Sequence, residues 1–348
     1  MKNGKALIVG AIGHFLVDFA CAAFLLRHNG ETIWWTELLI LYNFCAFALQ
    51  MPMGILVDRW PAFPWAACGV LLCAAGALPL PLAALGLILG LGNAAYHLGI
   101  GKPLMDAEPG SAALGIFVAP GALGITLGTL AARLDSVMVL PLTLFLILLA
   151  CVVYKLPWKP QERRAEAQCS FPLICVICLF LVVTLRSFAG FTWPLPWKAQ
   201  ALIPLTLAVA GGKAAGGIAA DLWGLEKTAL VSLGLSFFCF CYPDWMITGL
   251  TGVFLFNMTM PLCLKQMHRQ FPQHAGFAFG FLTFALFLGF VPVILSITAV
   301  TKTQTLILIA LSWLDLCLAF RWGHNHAQLV GLVADHDLAA GAGFRVSA

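Results

Sequence analysis

Gly54-Ile55-Leu56-Val57-Asp58-Arg59 closes one long apolar stretch of the chain, and Gly217-Ile218-Ala219-Ala220-Asp221-Leu222-Trp223-Gly224 closes another. These two Gly-x-x-x-Asp copies stand 163 residues apart. At nearly the same offset, 164, Asn93 meets Asn257, each a polar side chain set in a run of small or apolar residues. Between the copies lies the longest internal polar segment, Trp158 to Cys169 (WKPQERRAEAQC). A repeat of this length around a central linker predicts two related halves. In polytopic proteins such repeats mark secondary transporters that rock about a central site.

The surrounding composition agrees. Of 348 residues, 61% are hydrophobic and 10% charged, against about 45–50% and about 25% for soluble proteins. A net charge of +4 is small and calls for no nucleic acid. A membrane-spanning helix takes about 20 residues, so twelve of them use roughly 240. Apolar stretches predict spans at 6–27, 33–56, 63–78, 82–101, 111–132, 136–156, 170–191, 199–220, 227–242, 246–264, 275–299 and 303–321. The expected fold is an all-α polytopic membrane protein with twelve transmembrane helices in two pseudo-symmetric six-helix bundles. Its parts are an N-terminal bundle 1–156, a cytoplasmic linker 157–169, a C-terminal bundle 170–321 and a largely disordered cytoplasmic tail 322–348. With both termini cytoplasmic, inside segments hold thirteen Lys and Arg and outside turns four, as the positive-inside rule demands. The expected location is a plasma membrane, which is the inner membrane if the cell is Gram-negative. The twelve cysteines fall mostly in apolar runs, where Cys acts as a small hydrophobe. Cys175-x-x-Cys178 has no second ligand pair near it in sequence, and no metal is expected. Trp34, Trp35, Trp193, Trp197 and Trp245 sit at outer span ends and read as interfacial anchors.

Gly54-x-x-x-Asp58-Arg59 resembles the signature turn between the second and third helices of the major facilitator superfamily. That resemblance implies that Asp58, Arg59 and, in the second copy, Asp221 form a cytoplasmic gate between the bundles. Trp60-Pro61 replaces the family's Gly-containing, doubly basic continuation, and Leu222 stands where a second Arg is expected. Gly13-His14-Phe15-Leu16-Val17-Asp18-Phe19, Gly92-Asn93-Ala94-Ala95-Tyr96-His97, Gly121-Ala122-Leu123-Gly124-Ile125-Thr126-Leu127-Gly128 and Leu185-Arg186-Ser187 resemble, in order, segments of fosmidomycin-resistance-type exporters. No substrate follows from that likeness.

Lys213 lies eight residues before Asp221, about 12 Å into the membrane. A charge near mid-bilayer costs roughly 2.5–3.5 kcal/mol or more, so it must face protein or a cavity. It either binds an anionic group or forms a structural ion pair. Gln50 holds the matching place before Asp58. His14 and Asp18, four residues apart, share one helix face near mid-membrane. An imidazole beside a carboxylate can exchange protons, and Asp18 is the expected protonation site; the alternative is a structural hydrogen bond. Arg186, a permanent cation, must pair, bind an anion or reach the outer interface. His97 gates, relays protons or bonds to a backbone carbonyl, and Asn93 and Asn257 either line the path or join helices. Asp315 reads as a structural partner, and Gly115, Gly121, Gly124 and Gly128 as packing positions.

The expected function is a secondary active transporter, acting by alternating access on a small anionic or zwitterionic solute, proton-coupled and exporting, hence an antiporter. Lys213, Arg186, Gln50, Asn93, Asn257 and His97 would bind substrate, and Asp18 with His14 would couple protons. The expected partners are solute, protons and lipid bilayer; the protein would be a monomer with no cofactor. Gly101-Lys102 and Gly212-Lys213 lack a Gly five residues earlier, which removes a phosphate loop and an ATP-driven pump. The rival is a polytopic membrane enzyme acting on a lipid-linked substrate, with His14, Asp18 and His97 as acid–base groups. Neither Gly-x-Ser-x-Gly nor His-Glu-x-x-His supports it.

Overall fold

A computed structural model describes residues 3–28, 35–135, 137–156, 173–295 and 299–343, with side chains as far as 322. The linker reading at 157–169 and the Trp34 reading lie outside the described residues. Helices form at the twelve expected places: α1 Gly4–Leu26, α2 Trp35–Arg59, α3 Trp65–Ala75, α4 Leu82–Ala107, α5 Ala112–Arg133, α6 Val139–Tyr154, α7 Leu173–Thr192, α8 Leu202–Trp223, α9 Leu225–Cys239, α10 Met246–Gln270, α11 Ala275–Ile294 and α12 Lys302–Gly343. Among the described residues nine are long and apolar enough to cross a membrane. α3 and α6 are apolar but shorter. At 11 residues, α3 reaches only about 16 Å, half of a bilayer's hydrocarbon thickness. Leu78-Pro79-Leu80-Pro81 ends it early, because proline withholds a helix donor. The backbone of α12 stays helical to Gly343, where the sequence reading expects a disordered tail; Ala and Leu are frequent there and favour helix.

Packing repeats with a shift of six helices. α1 packs on α5, α3 on α4 and α6, and α2 on α4. In the second half α7 packs on α11, α9 on α10 and α12, and α8 on α10. The halves meet mainly through α2 against α11 and α5 against α8, two contacts that exchange under the same shift. Glycine permits both crossings. A Cβ at Gly54 would strike the Gly276 backbone, and one at Gly217 the Ser111 backbone. Large apolar side chains such as Leu144, Phe145, Leu148, Phe238 and Ile247 stand exposed on the outside, while His14, Asp18, Gln50, Asn93, His97, Arg186 and Asn257 are buried. An apolar exterior around a polar interior suits a lipid surrounding. Trp193 corrects its interfacial reading: it is buried, with its ring stacked 4.4 Å from Phe240. Trp245 is exposed, as an anchor requires.

Candidate functional site

Three irregularities shape the interior. Phe44–Ala48 forms a π-helical turn inside α2, a feature common at functional sites. α5 breaks between Val118 and Pro120, because Pro120 cannot donate to the helical ladder. α10 is interrupted at Met258.

In the first half, one cluster joins α1, α4 and α5. His14 Nε2 lies 3.2 Å from Asp18 Oδ2 and 2.8 Å from His97 Nε2. Asn93 Nδ2 donates to Asp18 Oδ1 at 2.7 Å. His14 Nδ1 lies 2.7 Å from the Phe117 carbonyl, and His97 Nδ1 lies 2.8 Å from the Asn93 carbonyl. Asn93 Oδ1 is buried without a hydrogen bond. Gly121 makes room for the cluster, since a Cβ there would meet both His14 Nε2 and Asp18 Oδ2. Donor atoms of His14, Asp18 and His97 lie within 4.8 Å of one another, a spacing that suits one proton or one small cation.

In the second half the interior carries two cations, Arg186, which is buried, and Lys213, which is half-buried. Arg186 Nη2 donates to Asn257 Oδ1 at 2.6 Å, Nη1 reaches Met260 Sδ at 3.6 Å, and Nε has no partner. Lys213 Nζ donates to the Val118 carbonyl at 3.3 Å, across the α5–α8 crossing. Among the described residues neither cation has a carboxylate within ion-pair distance. Asp18 is the carboxylate whose charge acts on Lys213, from beyond ion-pair distance. Gln50 is buried, donates to the Ala46 carbonyl at 2.6 Å, and leaves Oε1 unpaired. It touches neither cation in the described contacts.

Asp58 and Asp221 behave alike at one end of the molecule. Asp58 accepts from the Gly276 and Phe277 N–H groups, both at 2.9 Å, and so caps α11. Asp221 accepts from Ser111 N at 2.6 Å and Ala112 N at 3.0 Å, and so caps α5. Each carboxylate belongs to one half and satisfies orphan donors of the other. Arg59 stands apart, exposed with its guanidinium 6.0 Å from the Trp60 ring.

The sequence reading missed the rest of this end. Lys102 lies 3.8 Å from Asp58 and 2.6 Å from Asp106, and His268 of α10 lies 3.8 Å from Asp106. Buried Lys265 donates to the Glu108 carbonyl at 3.4 Å. The i,i+4 spacing of Lys102 and Asp106 was the available signal. A cleft of about 540 Å³ opens here between α2, α3, α4 and α6, lined by Trp65, Lys102 and Asp106, away from the interior cluster. Asp315 is half-buried on α12, near Cys178.

Solved transporter structures share this architecture. The E. coli fucose:proton symporter FucP superposes with a TM-score of 0.64 at 14% identity, over 92% of this chain and 98% of that one. A second FucP structure, a major facilitator superfamily transporter in the outward conformation, gives 0.61 at 13% identity over 92% and 99%. The human organic anion transporter MFSD10 (TETRAN) gives 0.62 at 14% identity over 92% and 100%. No protein-family model matches the chain. No curated protein matches it either. The fold is that of the major facilitator transporters.

Proposed function

We propose that this protein is a proton-coupled secondary transporter of a small anionic or zwitterionic solute. The carrying observation is the pair of interior cations, Arg186 and Lys213, which no carboxylate neutralises within ion-pair distance among the described residues. Buried charge without a partner is expensive, and an anionic substrate group would supply the missing negative charge. Two six-helix bundles, 1–156 and 170–321, would rock about this centre. Asn257, Asn93, Gln50 and His97 would line the path, and Asp18 with His14 would carry the coupling proton. Asp58 and Asp221 would hold the bundles together on the cytoplasmic side when the path faces outward. The transporter neighbours support secondary transport. The resemblance to fosmidomycin-resistance-type exporters favours export against proton entry, and one chain suffices for the path.

The test is flux into and out of proteoliposomes, with and without an imposed pH gradient. The probes are labelled carboxylates, phosphorylated sugars, zwitterionic amino acids and neutral sugars. At least one anionic or zwitterionic probe should accumulate only with the gradient. In Lys213→Ala the preference for that probe over a neutral one should collapse. An unchanged preference removes Lys213 from the binding site, and a product of altered mass points to the enzyme instead.

A further inference from the structure

A backbone carbonyl can only accept a hydrogen bond, so a ring nitrogen held against one carries a hydrogen. Both Nδ1 atoms of the interior histidines are so held, His14 by the Phe117 carbonyl and His97 by the Asn93 carbonyl. A neutral imidazole has one N–H. With both rings neutral, two Nε2 atoms without hydrogens would stand 2.8 Å apart, on rings set at 87° to each other. Asp18 would add its charge, 3.2 Å from the first ring and 3.9 Å from the second. Those three groups repel one another. One proton on the Nε2–Nε2 axis turns the repulsion into an N–H···N bond and gives Asp18 its counter-charge.

We infer that His14 and His97 hold a single proton between their facing Nε2 atoms, with the Asp18 carboxylate as its counter-ion. This moves the proton from the carboxylate, where the sequence places it, to the contact between two rings on different helices. Asn93 fits the arrangement, since it donates to Asp18 Oδ1, a bond that favours the ionised carboxylate. The groups around the bridge are Asp18 and Cys21 on α1, Tyr42 on α2, Cys73 on α3, Tyr96 on α4, the Phe117 ring on α5 and, from the other half, Lys213 on α8. Beyond Lys213 stands Arg186.

The bridge has a mechanical consequence. Without its proton, the rings must part or one must release its carbonyl. Phe117 O, which holds His14, is followed in the chain by Val118 O, which holds Lys213. Both carbonyls sit at the break in α5. The protonation state of the first half and the position of the cation in the second are thus read by adjacent carbonyls. The bridge rests on the coupling reading above only for the use made of its proton.

The experiment uses the full chain in lipid nanodiscs with its histidine nitrogens isotopically labelled. A through-bond correlation between two histidine Nε2 nitrogens should appear, and both rings should show a protonated Nδ1. Separately, His14→Gln and His97→Gln should each abolish the correlation; the wild-type correlation needs no variant, so misfolding of either leaves the test standing. Two rings that gain protons independently, or a neutral ring with its hydrogen on Nε2, overturn the bridge. So does one equivalent of zinc in the purified protein by elemental analysis, since a metal ion would then occupy the axis. Gradient-driven flux in a protein with independent rings overturns the bridge and leaves coupling intact. A bridge in a protein whose flux ignores the gradient supports the bridge and removes coupling.

Discussion

In the first half, the asparagine of α4 donates to a carboxylate on α1; in the second, the asparagine of α10 accepts from a guanidinium on α7. Asn93 and Asn257 stand 164 residues apart, and Asp18 and Arg186 stand 168 apart. The matched asparagines therefore bond a buried carboxylate in one half and a buried guanidinium in the other. Asp58 and Asp221 behave differently: each caps the opposite half's helix in the same way. The halves agree where the frame needs helix crossings and caps, and they differ where charge faces the interior. In the proposed mechanism, the first half handles the proton and the second the anion.

Asp18→Asn attacks that division most directly. Gradient-driven accumulation in proteoliposomes should fall to the passive level, while exchange of labelled for unlabelled solute persists. Full retention of gradient-driven transport would take the proton role away from the first half. Arg186→Gln tests the other side. A hydrogen bond to a charged group contributes about 1.5–3 kcal/mol, so affinity for the anionic solute should drop roughly tenfold to a hundredfold. The pH dependence of flux should keep its shape; a changed profile would mean that the halves do not divide the work.

The frame should respond symmetrically and less. Gly54→Ala and Gly217→Ala each push a methyl into the facing backbone, and overpacking of this kind costs about 1–3 kcal/mol. Similar drops in the thermal unfolding temperature are expected, and a silent Gly217→Ala would break the symmetry. Removing one cap by Asp58→Ala or Asp221→Ala should cost about 1 kcal/mol and raise the reactivity of thiols introduced at the latch. Arg59→Ala should change stability by no more than about 0.5 kcal/mol, because Arg59 is exposed and makes no latch contact in the described structure. A large effect there would restore it to the gate.

Much of this was readable from residue spacing. The Gly-x-x-x-Asp repeat located both latch carboxylates, and the matched asparagines located both polar centres. The cost of placing Lys213 and Arg186 in a membrane marked them as interior groups. Arg59 stands exposed beside Trp60, because a motif fixes position along a helix and leaves side-chain direction open. The pairing of Asp18 with Arg186 at offset 168 went unread, since Asp and Arg share no chemistry that an identity match would find. His268 was missed for a related reason: α4 and α10 belong to different halves, and no local pattern says that His268 meets Asp106.

The amino-acid order alone determined the helices, their duplication and the polar residues within them, because apolar length and 3.6-residue periodicity are local properties. Only the tertiary structure decided that two imidazoles meet edge-on through their Nε2 atoms, that each Nδ1 lies against a carbonyl, and that Lys213 reaches the Val118 carbonyl in the other half. Those facts depend on the angles at which helices cross, which glycines permit but do not specify.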